Sequence, residues 1–143
     1  MNSETKTGTY LVDKKVDVKI KLSALWAAVM FLYLYVDVFM YFKPGVLTDA
    51  IAGKVWTFQV SQGFLLSVIV MMAIPSLMVF LSVGLKASLN RWVNIIVGVL
   101  YIVITLGMTV GEPYYFYIFG SIVEAVLLIL VIFYAWTWPK TAS

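Results

Sequence analysis

Four runs of apolar residues, each as long as the ~20-residue helix that crosses a bilayer, take up most of this 143-residue chain. In hydrocarbon every backbone N–H and C=O must be paired within the protein, which leaves helices or closed barrels. Unbroken apolar runs of this length read as helices. Charged residues make up 12% of the chain and hydrophobic ones 63%, whereas a soluble domain carries about a quarter charged. The expected fold is all-α, an integral membrane four-helix bundle.

The spans are expected at about 22–42, 56–85, 92–110 and 114–138, within a bundle covering 22–140. A polar, basic segment, residues 1–21, precedes the bundle, and a short tail, 141–143, follows it. The stretch "VDVKIKL" alternates apolar and charged residues and is read as an extended lead-in lying on anionic headgroups. Ser23 is placed to cap the first span, and Pro44 and Gly45 to end it. "LTDAIAG" suggests a brief interfacial helix behind Thr48. Pro75 interrupts the second span, frees the carbonyl of Met71 and kinks the helix. Trp26, Trp56, Trp92, Trp136 and Trp138 fall near span ends, as an aromatic belt requires. No cleavable signal peptide is expected, because the first apolar run starts late and is too long for one.

Eight of the ten Lys and Arg residues fall in the N-terminal segment, the second turn and the tail. The positive-inside rule therefore predicts both termini in the cytoplasm. With neither Cys nor His present, disulfides, thiol chemistry and imidazole ligation are excluded. There is no metal-ligand spacing, no cofactor motif and no serine with a base, so catalytic residues, metal and cofactors are all expected to be none. The sparse basic residues are explained by topology, and nucleic acid is not an expected partner.

Polar residues can be ranked by depth from the helical rise of ~1.5 Å per residue. In the first span Asp37 lies roughly 7 Å below the outer end and Tyr33 one turn deeper. Asn94, Gly98, Tyr101, Thr105 and Glu112 form a helical stripe on the third span, and Tyr117, Gly120, Ser121 and Glu124 another on the fourth. Glu124 falls close to mid-depth. An ionisable residue at that level costs about 2.5 to 3.5 kcal/mol on insertion scales, so Asp37 and Glu124 should face the bundle interior. The candidate ligand-binding residues are Asp37, Glu124, Tyr33, Gln62, Tyr101, Thr105, Glu112 and Tyr117, around a polar pocket open to the outer side. The inner half shows no polar counterpart to it.

Two readings follow. In one, the pocket binds or moves a proton, a cation, or a small amine or lipid-like ligand. In the other, the chain is a structural or accessory membrane subunit whose acids are protonated hydrogen-bond donors between helices. Gly107 and Gly111 form a GxxxG spacing suited to close packing inside the bundle or to a partner helix. Beyond the bilayer, the partners expected are a small cationic or apolar ligand, another copy of the chain, or a second membrane protein. Met71, Met72 and Met78 read as core filler. Asn90, Arg91 and Asn94 read as an ordinary helix start with an anchoring arginine.

The stretches "MAIPSLMVFLSV", "NRWVNIIVGVLY" and "YAWTWPK" resemble a family of short bacterial four-span membrane proteins known only as a domain of unknown function. The resemblance runs from about Lys21 to Lys140 and includes Asp37, Pro75, Glu112 and Glu124. It implies a multi-pass protein of the bacterial inner membrane and brings no catalytic residues.

Overall fold

The computed structural model of the protein describes residues 13–139. Residues 1–12 of the basic segment, Lys140 and the tail 141–143 lie outside the described residues. The elements in order are α1 (Val18–Met40), α2 (Val46–Ile51), the strands β1 (Lys54–Val55) and β2 (Phe58–Gln59), α3 (Gln62–Gly84), α4 (Ala87–Thr109) and α5 (Tyr115–Trp136). Four of these helices, α1, α3, α4 and α5, are long and apolar enough to cross a membrane.

Helix starts differ from the expected ones for identifiable reasons. α1 begins at Val18 because Asp17 caps it, its carboxylate accepting from the Lys19 N–H at 2.8 Å. Ser23 is no cap: its hydroxyl donates to the Val79 carbonyl at 2.7 Å and sews α1 to α3. The expected extended lead-in is therefore helical from Val18 onward. Lys19 and Lys21 are tolerated there because long lysine stems carry their charge to the helix end. The Lys19 ammonium donates to the carbonyls of Val83 and Leu85 at 3.3 and 2.7 Å, and that of Lys21 lies 4.9 Å from the Tyr134 ring.

After α1, Gly45 takes a left-handed φ of 86° and starts α2, so the short helix begins two residues before Thr48. β1 and β2 pair antiparallel, Lys54 with Gln59 and Val55 with Phe58, an element the apolar pattern did not suggest. Trp56, expected to open the second span, sits in the hairpin turn with φ 52°. α3 starts at Gln62, capped by Ser61, whose hydroxyl accepts from the Phe64 N–H at 3.1 Å. Helix α3 continues through Pro75 to Gly84 without interruption.

α1 packs against both α3 and α5, and α5 against α4, while α3 meets α4 only sparsely. The helices thus run around the bundle as α1, α3, α4, α5, with α1 facing α4 across its centre. Two glycines set the closest approaches. A Cβ on Gly98 would lie 2.9 Å from Ile132 Cγ1, and one on Gly120 2.7 Å from Val36 Cγ2. Gly107, by contrast, has nothing within 4 Å of its would-be Cβ, and Gly111 lies beyond the end of α4 with φ 81°. The GxxxG spacing is therefore not one helical face and seats no helix within the bundle.

The core is concentrated at the end of the bundle that holds the N-terminus of α1, in Leu22, Trp26, Val29, Met78, Leu128, Val131 and Ala135. Trp26 is wholly buried and belongs to no aromatic belt. Outward, large apolar side chains dominate, with Phe80 73% exposed. An apolar exterior around a partly polar interior suits a lipid surround, since soluble monomers do not expose such continuous apolar area.

Candidate functional site

One face of α4 organises the interior. Asn90, Asn94, Gly98, Tyr101 and Thr105 are all buried, at spacings of four, four, three and four, which is one turn each time. The face is small or polar over nearly the whole helix, and each polar member is met by a side chain or carbonyl of a neighbouring helix.

Toward the end carrying Lys43 and Glu112, the face opens into a cavity of about 80 Å³. It is lined by all four long helices, among them Tyr33 and Asp37 of α1, Met71 of α3, Tyr101 and Thr105 of α4, and Glu124 of α5. The depth argument works because α1 and α4 face each other: the Tyr33 hydroxyl comes within 3.2 Å of Thr105 Oγ1, which in turn lies 3.5 Å from Glu124 Oε2. Glu124 is 4% exposed. Its other oxygen, Oε1, has no hydrogen-bond partner among the described residues. Asp37 is exposed and stands at the rim. Neither lysine nor arginine lines the cavity, so the Glu124 carboxylate, when ionised, has no cationic neighbour of its own.

Of the eight residues singled out in the sequence, six line this cavity: Asp37, Glu124, Tyr33, Tyr101, Thr105 and Tyr117. Two do not. Gln62 is exposed at the first turn of α3, because that helix starts later than the apolar run suggests. Glu112 is engaged elsewhere: both its oxygens accept from the Lys43 ammonium, at 2.8 and 3.0 Å, and Oε1 also accepts from the Tyr114 N–H at 3.2 Å. This ion pair ties the chain after α1 to the turn between α4 and α5, and the Lys43 ammonium lies 4.3 Å from the Tyr114 ring. Ser67 of α3 is exposed and donates to the carbonyl of Gly63.

The carbonyl freed by Pro75 has found a donor. Proline lacks an N–H, so the oxygen of Met71 has no helical partner; the Tyr101 hydroxyl donates to it instead. The Tyr101 ring is held edge-on by Trp26, with centroids 6.3 Å apart, and beside Tyr33 at 6.4 Å.

Sequence reasoning places Asn94 in the stripe but omits Asn90 from it and reads the pair as an ordinary helix start. Asn90 and Asn94 are fully buried, not an ordinary helix start, and they supply the polar counterpart that the opposite half was expected to lack. Asn94 Oδ1 accepts from the Trp26 indole at 2.7 Å and from the Ser82 hydroxyl at 3.2 Å. Asn90 Nδ2 donates to the Ser82 carbonyl at 2.6 Å, and Asn94 Nδ2 to Asn90 Oδ1 at 2.6 Å. The available signal was two asparagines one turn apart, in phase with Tyr101 and Thr105. Arg91 beside them is not only an anchor, since its guanidinium lies 5.6 and 5.4 Å from the rings of Trp92 and Trp136.

Chemically, the cavity offers oxygen donors and thioethers and no nitrogen. Among the described residues no three acids gather in one place, so the site carries at most two carboxylates. No curated protein and no solved structure matches the chain. A family model described as a family of unknown function, DUF6326, matches residues 11–143, and the protein belongs to that family.

Proposed function

We propose that this protein is a multi-pass membrane protein that holds a small cation, a proton included, in the cavity between Asp37 and Glu124. The observation that carries the reading is Glu124 itself: a side chain 4% exposed, with one oxygen unpartnered, facing a hollow of about 80 Å³ in which no basic residue stands. A carboxylate in that position is neutralised by binding a cation or a proton. Asp37 at the rim adds a second negative group on the way in, and the hydroxyls of Tyr33 and Thr105 complete the shell. Size narrows the ligand. Pockets for drug-sized or lipid-like molecules occupy about 300 to 1,000 Å³, so an inorganic ion, a proton with water, or an amine no larger than methylammonium fits, and a lipid-like molecule does not.

Orientation follows from charge. Lys14, Lys15, Lys19, Lys21, Lys86 and Arg91 lie at one end of the bundle, whereas the other end has Lys43, already paired with Glu112, and Lys54. The positive-inside rule then places both termini in the cytoplasm and opens the cavity to the outside; the resemblance to a bacterial family makes the inner membrane the expected location.

The test is cation binding to the purified protein in lipid nanodiscs, measured for wild type, Glu124→Gln and Asp37→Asn. Binding that is abolished in Glu124→Gln and weakened in Asp37→Asn, with helical content unchanged, supports the site. A Glu124→Gln protein that binds cations and takes up protons as wild type does removes it and leaves a membrane scaffold with a buried hydrogen-bonding acid.

A further inference from the structure

The cation held at Glu124 can be specified further from the backbone of α3, an inference that rests on the reading above. In hydrocarbon, a carbonyl released by proline must take a donor or a cation. Carbonyls left without a helical partner coordinate sodium in the unwound segments of transporters, and here Pro75 leaves one such carbonyl without unwinding α3. The Met71 oxygen is released by Pro75, and both Met71 and its partner Tyr101 line the cavity that Glu124 faces. We infer that the Met71 carbonyl is a ligand of the site and that the ion it takes is an alkali cation of sodium's size, with the Tyr101 hydroxyl standing in for that ion when the site is empty.

Three features favour this over a proton or a divalent ion. The donors are all hard oxygens: Glu124 Oε1, the Met71 carbonyl and the hydroxyls of Thr105 and Tyr33, the ligand type that hard cations select. A proton would be satisfied by the carboxylate alone and gives a carbonyl nothing to do. A divalent ion is commonly held by several carboxylates, and here only Glu124 is buried at the site while Asp37 stands at the rim. A single buried negative charge balances a single positive one. The volume agrees, for about 80 Å³ accepts one such ion with a water or two, each water taking up about 30 Å³ in the liquid.

Tyr101 is built for the exchange. Its ring is 1% exposed and fixed between Trp26 and Tyr33, so only the hydroxyl hydrogen is free to turn. When the ion arrives, that hydrogen swings away from the Met71 carbonyl and leaves the carbonyl to the ion. The ion and the Tyr101 proton thus compete for one carbonyl.

The experiment is equilibrium binding of radioactive sodium at fixed pH, in choline buffer, to the full chain in nanodiscs. Wild type should bind saturably and be competed by unlabelled sodium. Pro75→Ala restores an N–H that ties up the Met71 carbonyl, and its affinity should fall by about tenfold or more with α-helical content unchanged. Tyr101→Phe removes the competing donor and should bind at least as tightly as wild type. The two variants act on the same carbonyl in opposite directions, so a general loss of folding cannot mimic the pair. If Pro75→Ala binds as wild type does, or Tyr101→Phe loses binding while staying folded, the carbonyl is no ligand and the inference is overturned. Wild type that binds no sodium, yet takes up protons in a Glu124-dependent way, overturns the alkali-ion assignment and leaves the broader cation reading standing. Glu124→Gln with unaltered sodium binding and proton uptake overturns both.

Discussion

Asn94 is the junction of the buried network at the N-terminal end of α4, and replacing it with alanine should destabilise the bundle by about 2 kcal/mol. The figure follows from what each partner can do afterwards. Ser82, released from Asn94 Oδ1, can turn its hydroxyl to the carbonyl one turn back. Asn90 keeps its bond to the Ser82 carbonyl, and its Oδ1, which loses the Asn94 donor, is an acceptor, the kind of buried group that goes unpaired more readily than an N–H. The Trp26 indole N–H, in a side chain with no exposed surface, has neither water nor another acceptor. A buried donor left unpaired costs about 1 to 3 kcal/mol, whereas hydrogen bonds between helices in a membrane average only about 0.6 kcal/mol. The orphaned indole therefore dominates. Trp26→Phe removes that donor, so the Trp26→Phe/Asn94→Ala double variant should be less destabilised than the sum of the singles by about 1 kcal/mol. Unfolding by dodecyl sulfate in mixed micelles, followed by far-UV circular dichroism, measures all four proteins. An Asn94→Ala variant within about 0.5 kcal/mol of wild type, or strict additivity in the cycle, refutes the reasoning.

Two further perturbations use the same unfolding assay. Gly120→Ala places a Cβ 2.7 Å from Val36 Cγ2; a valine in a helix keeps one rotamer, so α1 and α5 must separate, at a cost of about 1 to 3 kcal/mol. Gly107→Ala meets nothing within 4 Å and should stabilise α4 by up to about 1 kcal/mol through helix propensity; equal effects at the two glycines would contradict the packing. Lys43→Met leaves Glu112 with only the Tyr114 N–H and should cost about 1 to 2 kcal/mol, less when Glu112→Gln is added, because removing one partner of a poorly exposed pair strands the other's charge.

Much of this molecule is legible in its sequence, and the illegible parts share a cause. The four long helices follow from apolar length, and the buried phase of α4 from the spacing of Asn94, Gly98, Tyr101 and Thr105. Pro75 identifies Met71 as the carbonyl in need of a donor, though nothing local says that Tyr101, thirty residues on, supplies it. The start of α1 is hidden because Lys19 and Lys21 look like solvent-facing charges until α3 and α5 provide a carbonyl pair and a ring to receive them. The hairpin is hidden because its turn lacks the Asn-Gly or Asp-Gly pair that usually marks one, with Trp56 accepting the left-handed backbone instead. Gln62 is misplaced for a related reason, since it opens α3 and is exposed there instead of lying inside a longer helix. Asn90 reads as a helix start because its partner across helices, the Ser82 carbonyl of α3, is recognisable only once α3 and α4 are packed.

The lysine at position 19 closes the carboxy-terminal end of α3, sixty-four and sixty-six residues further along, through its bonds to Val83 and Leu85. One ammonium is thus a structural cap and, in the orientation proposed above, a topogenic charge as well. Charge-swap mapping at this position would mix a change in sidedness with an unfastened helix. Lys14 and Lys15, exposed ahead of α1, carry the same sign without the second duty, so reporters of which way the chain is threaded belong there.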